Sequence, residues 1–303
     1  MTVLWRKMNK VNKKGILLAM LAAALYAVNS PFSKLLLEKV PPTVMAGLLY
    51  IGAGVGMGVV ALVKKARGSA TKLKLTRGEL PYTLGMILLD IAAPICLMLG
   101  LKSTSAASSS LLNNFEIVAT ALIALAVFKE SISPRLWIGI LFVTVSCGVL
   151  TFDGAEGLSF SGGSVFILLA CVCWGFENNC TRKLSTKDPL QIVLLKGIFS
   201  GGGSLVIGLA TGETLPQAVY VLAALAVGFV AYGSSIYFYV LAQRTLGAAR
   251  TSAYYAIAPF IGAGLSLVIF RDALGVNYFI ALALMMVGAW LCANDEPLFK
   301  KKQ

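Results

Sequence analysis

An all-helical integral membrane protein of ten spans, arranged as two inverted five-helix repeats with both termini cytoplasmic, is the fold class this sequence predicts. Three observations predict it. The chain of 303 residues is 58% hydrophobic and 13% charged, with mean hydropathy +0.83, whereas a soluble domain carries about a quarter charged residues. Apolar segments long enough to cross a hydrocarbon core recur along its whole length. The basic residues sit in short clusters between them rather than in one surface.

The spans are expected at 15–37, 42–63, 81–101, 105–127, 134–152, 162–182, 189–211, 216–242, 247–270 and 274–294. The breaks are marked by Pro41-Pro42, by the basic run from Lys64 to Arg77, by Pro134, Asp153-Gly154, Lys187-Asp188-Pro189 and Gly212-Glu213. Arg6, Lys7, Lys10, Lys13 and Lys14 precede the first apolar run, which continues through Asn29 and Ser30 without a clean small-x-small cleavage site, so it reads as a retained span.

With the N-terminus inside, 21 of the 26 Lys and Arg residues fall on the cytoplasmic side. Lys34, Lys39, Lys102 and Arg271 fall on the other, and Lys196 lies within a span. That bias is a positive-inside signal, and it also supports the span count. The net charge of +13 therefore reads as membrane-loop chemistry, and no nucleic-acid partner is expected. The chain has no histidine, and its six cysteines all lie within apolar runs. No metal site, cofactor or enzymatic nucleophile–base pair is expected.

The second half echoes the first. At an offset of about 148 positions, Tyr26 meets Trp174, Lys34 meets Arg182, Lys39 meets Lys187 and Pro41 meets Pro189. At an offset of about 142, Lys102-Ser103 meets Arg244-Thr245, Ala106-Ala107 meets Ala248-Ala249, Ser109-Ser110 meets Thr251-Ser252, and Phe128-Lys129-Glu130 meets Phe270-Arg271-Asp272. Each unit holds five spans, an odd number, so the two copies lie in opposite orientations. Inverted repeats of this kind are a transporter architecture, with the solute expected near the midplane.

Two stretches carry a family resemblance. One runs from Gly100 to Phe152, with GLKSTSAASSSLL, a helix ending Phe128-Lys129-Glu130, and Gly139 and Gly148 in the next span. The other runs from Gly247 to Leu291, with GAARTSAYYAIAPF, then Phe270-Arg271-Asp272 and Gly288. Both resemble the EamA-type repeat of the drug/metabolite transporter superfamily, over residues 15–152 and 162–294. The resemblance implies a ten-helix fold, solute transport, and a central cavity lined mainly by helices 1, 3, 4, 6, 8 and 9. Pro259 matches the family's fourth-helix proline. The first copy reads Asn113-Asn114-Phe115-Glu116-Ile117 there, with no proline and an acidic residue at membrane depth.

Four charged residues lie well inside spans: Asp90, Glu116, Glu177 and Lys196. Each is costly in hydrocarbon and is expected to face the bundle interior or a wet cavity. Asp90 and Glu116 fall at nearly equal depth on consecutive spans, where two carboxylates can share a proton or bind a cationic group; the alternative is that they brace the bundle. Glu177 and Lys196, nearer the inner end, suggest a buried ion pair, with an inner gate or a solute contact as the alternative. Asn29, Asn113, Asn114, Trp174, Tyr232 and Tyr255 complete the expected substrate or proton site. In the repeat, Asn29 aligns with Glu177 and Tyr232 with Asp90.

The expected function is a secondary transporter of small organic solutes, amino acids or related metabolites and drugs among them. It would work by alternating access in the bacterial inner membrane, as an exporter by family resemblance. Proton-coupled uptake is the alternative, and a channel or membrane-embedded enzyme the alternative of a different class. Expected partners are the solute, the lipid bilayer and protons as coupling ion, with a homodimer left open.

Overall fold

The computed structural model describes residues 2–68, 75–129, 132–153, 159–246, 251, 254–271 and 274–293. The expectations on Ala70, Glu130, Gly154, Gly247, Ala248, Ala249, Arg250, Ser252 and Asp272 lie outside the described residues. The helices are α1 (Thr2–Ala27), α2 (Asn29–Leu36), α3 (Pro42–Ala66), α4 (Leu80–Ser103), α5 (Ala106–Leu112), α6 (Phe115–Phe128) and α7 (Pro134–Thr151). They continue with α8 (Gly162–Leu184), α9 (Pro189–Leu195), α10 (Gly201–Ala210), α11 (Ala218–Val227), α12 (Ser235–Leu246), α13 (Ala258–Phe270) and α14 (Val276–Ala293).

Among the described residues, eight helical stretches are long and apolar enough to cross a membrane, the last of them Ala218–Leu246, and two shorter apolar helices follow. Large apolar side chains such as Leu62, Leu88, Val206, Leu222 and Val268 stand exposed along them. In a multi-pass membrane protein those side chains face lipid.

The structure departs from uninterrupted spans in several places. α1 and α2 are one stretch interrupted at Val28, and α5 and α6 are one stretch interrupted at Asn113-Asn114. A π-helical turn, Lys196–Ser200, joins α9 to α10, and a second, Gly228–Ser234, joins α11 to α12. Residues 256–257 form a turn before α13, so the described helix there is shorter than the expected 247–270. The first helix begins at Thr2, well before the apolar run. Among the described residues a short antiparallel ladder, β1 (Phe152–Asp153) with β2 (Ser159–Phe160), pairs Phe152 with Phe160 and Asp153 with Ser159.

Packing follows from small residues. α3 lies against α11 and the π-turn after it so closely that a Cβ on Gly228 would sit 2.0 Å from the Leu49 carbonyl oxygen, and one on Gly52 2.2 Å from that of Leu225. Only glycine permits that backbone contact. α4 packs along α8, α6 also packs on α8, α1 packs on α12 and α13, and α7 packs on α14.

Helix ends are held by charge. The Lys34 ammonium donates to the carbonyls of Leu101 (2.7 Å), Lys102 (3.1 Å) and Thr104 (2.9 Å) at the C-terminal end of α4, where helix carbonyls lack partners and a cation is favoured. Glu213 accepts from the N–H groups of Thr43 and Val44, capping α3 from a distant loop. α6 and α13 both end in a left-handed basic residue, Lys129 (φ 56°) and Arg271 (φ 54°). Such a conformation is uncommon outside glycine.

Candidate functional site

Three helix interruptions converge. In α2, Pro31 has no N–H to give the Ala27 carbonyl four residues back, which frees that oxygen at the end of α1. Between α5 and α6 the interruption carries no proline. Its residues are Asn113 and Asn114, a residue type that favours turns over helix interiors. α13 starts with Pro259 in its first turn, where a missing N–H costs nothing. A cavity lies where these ends meet, with Ala27 and Ser30, Ser110 and Asn113, and Pro259 and Gly262 in its wall.

A charged cluster sits beside it. The buried Lys196 ammonium is 3.0 Å from Asp90 Oδ2 and donates to Glu177 Oε1 at 2.6 Å. Tyr50 donates its hydroxyl to Asp90 Oδ1 at 2.8 Å, and the Thr181 hydroxyl donates to Glu177. Four helical stretches, α3, α4, α8 and the π-turn after α9, thus meet through side chains that are all nearly solvent-free. The π-turn begins at Lys196, and an extra residue in a turn changes the direction in which a side chain points. In α4, Pro94 cannot donate to the Asp90 carbonyl, so the helix is weakened at the charged residue. With every group ionised the cluster holds two anions and one cation.

Glu116 stands in the first turn of α6, an end that favours a carboxylate. Its Oε1 accepts from Asn178 Nδ2 at 2.6 Å. Asn179 donates to the carbonyls of Thr120 (3.2 Å) and Gly175 (2.8 Å). Among the described residues no Lys or Arg forms an ion pair with Glu116.

The structure therefore brings Glu177, Lys196 and Asp90 together, and gives Asp90 and Glu116 separate hydrogen-bonding partners instead of each other. Depth does not determine direction. α4 and α6 both pack on α8, which carries Glu177 toward one cluster and Asn178, one residue on, toward the other.

The remaining expected residues surround the same region. Asn29 donates to the Tyr232 hydroxyl at 3.1 Å and accepts from Ser33 at 3.0 Å. Tyr50, Tyr232, Tyr26, Tyr255 and Tyr239 form a chain of ring contacts with centroids 5.0, 5.9, 5.8 and 4.9 Å apart in that order. The Ser235 hydroxyl lies 3.4 Å from that of Tyr255 and donates to the Ala22 carbonyl. Trp174 is buried on α8 within the main apolar core. The Asn113 carbonyl accepts the Glu116 N–H at 3.1 Å. The buried Asn114 amide has no hydrogen-bond partner among the described residues.

Sequence reasoning missed Tyr50, Tyr239 and Ser110. Ser110 had a repeat partner in Ser252 to draw attention to it, but Tyr50 stands in a glycine-rich span with no polar neighbour.

A family model described as EamA-like transporter family matches residues 13–152 and 161–293. An uncharacterized transporter of Methanothermobacter thermautotrophicus is 22% identical over 297 residues, spanning 91% of this chain and 85% of that protein. The uncharacterized transporter YyaM of Bacillus subtilis is 24% identical over 176 residues, 54% of this chain and 56% of that one. One solved crystal structure shares the fold, with TM-score 0.67 at 19% identity over 91% of this chain and 94% of the other.

Proposed function

Because the chain belongs to the EamA-like transporter family, we propose that this multi-pass membrane transporter is a secondary carrier that exports small organic solutes, amino acids or related metabolites, across a bacterial inner membrane by alternating access. In this reading the chain makes ten spans, two inverted repeats over 15–152 and 162–294, with both termini inside. Spans 1, 4, 7 and 8 are the interrupted stretches α1–α2, α5–α6, α9–α10 and α11–α12, and spans 9 and 10 contain α13 and α14.

The observation that carries this reading is the pattern of helix contacts. Replace every span by the one five places along. The contact of α4 with α8 then becomes that of α12 with α1, and the contact of α6 with α8 becomes that of α13 with α1. Likewise α3 against α11–α12 becomes α9–α10 against α4. The left-handed Lys129 and Arg271 exchange under the same operation. Two halves related in this way can rock about the region between them, where the three interruptions and the buried charges lie.

Glu116 is the coupling or solute-charge residue in this mechanism. It is a partly buried carboxylate satisfied by a neutral amide, so a proton or a cationic group can neutralise it without breaking an ion pair. Asp90, bound to Lys196, is its charged neighbour rather than its partner. The test is flux of a metabolite panel in proteoliposomes with and without a pH gradient. Saturable, gradient-sensitive efflux supports the reading. Non-saturating flux, or none for any solute, overturns it.

A further inference from the structure

We propose that the cavity where the three helix interruptions meet binds a compact monovalent cation. The cavity has room for about one water-sized particle, so it cannot take a whole organic solute. Oxygen atoms from the first half of the chain line one side of it, and apolar groups line the other. The Ala27 carbonyl is denied its usual donor by Pro31, and the hydroxyls of Ser30 and Ser110 and the Asn113 side chain complete the set. The Ser110 hydroxyl is fully buried and has no hydrogen-bond partner among the described residues, an arrangement that native proteins resolve with a ligand or a rearrangement.

The sign of the ligand follows from the same geometry. The cavity touches the C-terminal ends of α1 and α5, where carbonyls favour a cation, and the start of α13, where Pro259 removes one N–H donor. Glu116 is one turn beyond Asn113 and bonds it through the backbone N–H, while its carboxylate accepts from Asn178 outside the cavity wall. No carboxylate stands in the wall itself. Divalent ions of the hard class prefer carboxylates, so a neutral oxygen set suits a single charge. Interrupted membrane helices whose carbonyls face a cavity coordinate such ions.

The cation could come as free Na⁺ or as the ammonium head of a solute, since both present compact positive charge to oxygen acceptors. The inference goes beyond the carrier reading and is separable from it. Binding is measured on purified protein, flux in proteoliposomes.

Gly262 supplies a plug. A Cβ there would lie 3.0 Å from both the Ala27 oxygen and the Ser110 hydroxyl, a contact the neighbours can relieve by small shifts. Ser110→Ala instead removes a ligand. The thermal unfolding midpoint of wild type, Ser110→Ala and Gly262→Ala is followed while NaCl or methylammonium chloride replaces choline chloride at constant ionic strength. Choline has no N–H and is too large for the cavity.

We expect a saturable rise for wild type with one of the two probes. In both variants the half-saturating concentration should increase by about tenfold or more, with the midpoint in choline little changed. A response to Na⁺ identifies the free ion, and a response to methylammonium alone identifies a solute head group. No saturable response in wild type, or an unchanged response in both variants, overturns the site. If one variant fails to fold, the other decides. Cation binding without solute flux would sink the carrier reading and leave the site standing, and flux without cation binding would do the reverse.

Discussion

Lys196 should be the most damaging single charge to remove from this protein. It holds two buried carboxylates, Asp90 at 3.0 Å and Glu177 at 2.6 Å. Lys196→Met therefore leaves two anions facing each other with only Tyr50 and Thr181 as donors. Removing one partner of a buried ion pair costs about 3–5 kcal/mol, and the two carboxylates left behind place this case toward the upper end. Asp90→Asn or Glu177→Gln leaves Lys196 with one anion, so each should cost less, about 1–3 kcal/mol for a lost charged hydrogen bond. The arrangement makes a further demand. In the double variant lacking the charges of Glu177 and Lys196, Asp90 is still buried without a cation, and recovery should be partial. Only the triple variant Asp90→Asn, Glu177→Gln, Lys196→Met removes every stranded charge. Denaturant unfolding of the purified protein in mixed micelles, followed by helix signal, measures all of these. If Lys196→Met is no worse than either carboxylate variant, or the Glu177/Lys196 double recovers as much as the triple, the three side chains do not act as one cluster.

Four other outcomes follow from the packing, the topology and the site. Gly228→Ala should destabilise the fold by about 1–3 kcal/mol, because a Cβ there meets the Leu49 carbonyl at 2.0 Å and the helices must part. Gly264→Ala, with nothing within 4 Å, should be neutral or gain up to about 1 kcal/mol of helix propensity in the same unfolding assay. In a cysteine-free background, a membrane-impermeant thiol reagent applied to spheroplasts should label Gly154→Cys and not Ala70→Cys, and the opposite pattern would overturn the inverted topology. Glu116→Gln should leave a folded protein whose flux no longer responds to a pH gradient. Wild-type flux from both Glu116→Gln and Asp90→Asn across the pH range would make these carboxylates structural.

Much of the site was legible because charge in an apolar run is conspicuous. Asp90, Glu177 and Lys196 stand out in segments with hardly another ionisable group, and their cost in hydrocarbon forces them inward. What the sequence could not convey was direction. Equal depth made Asp90 and Glu116 look like neighbours, but α8 packs against both their helices and gives each a different partner. The two π-turns were equally hidden. A single extra residue in a turn leaves no mark on apolar periodicity in spans that are apolar on nearly every face. Tyr50 reaches Asp90 across the contact of α3 with α4, a pairing that composition does not reveal.

The missing proline in the first half is the most instructive difference between the halves. Pro259 accounts for the interruption before α13, yet the chain is interrupted at the corresponding place, Asn113-Asn114, with no proline present. Two consecutive asparagines, a residue type that favours turns over helix interiors, stand at the break in its place. Proline would have brought only the break. The Asn-Asn-Phe-Glu sequence keeps the break and adds polar atoms: an amide in the cavity wall at Asn113, and a carboxylate in the first turn of α6 at Glu116. The second half, with Pro259 and Ala258 at that level, contributes only apolar wall. Geometrically similar halves are therefore chemically unequal, and every polar side chain in the cavity wall comes from the first half. Under the carrier reading, that asymmetry predicts that substitutions at Asn113 and Glu116 alter which solutes are moved, while substitutions at Pro259 alter how fast.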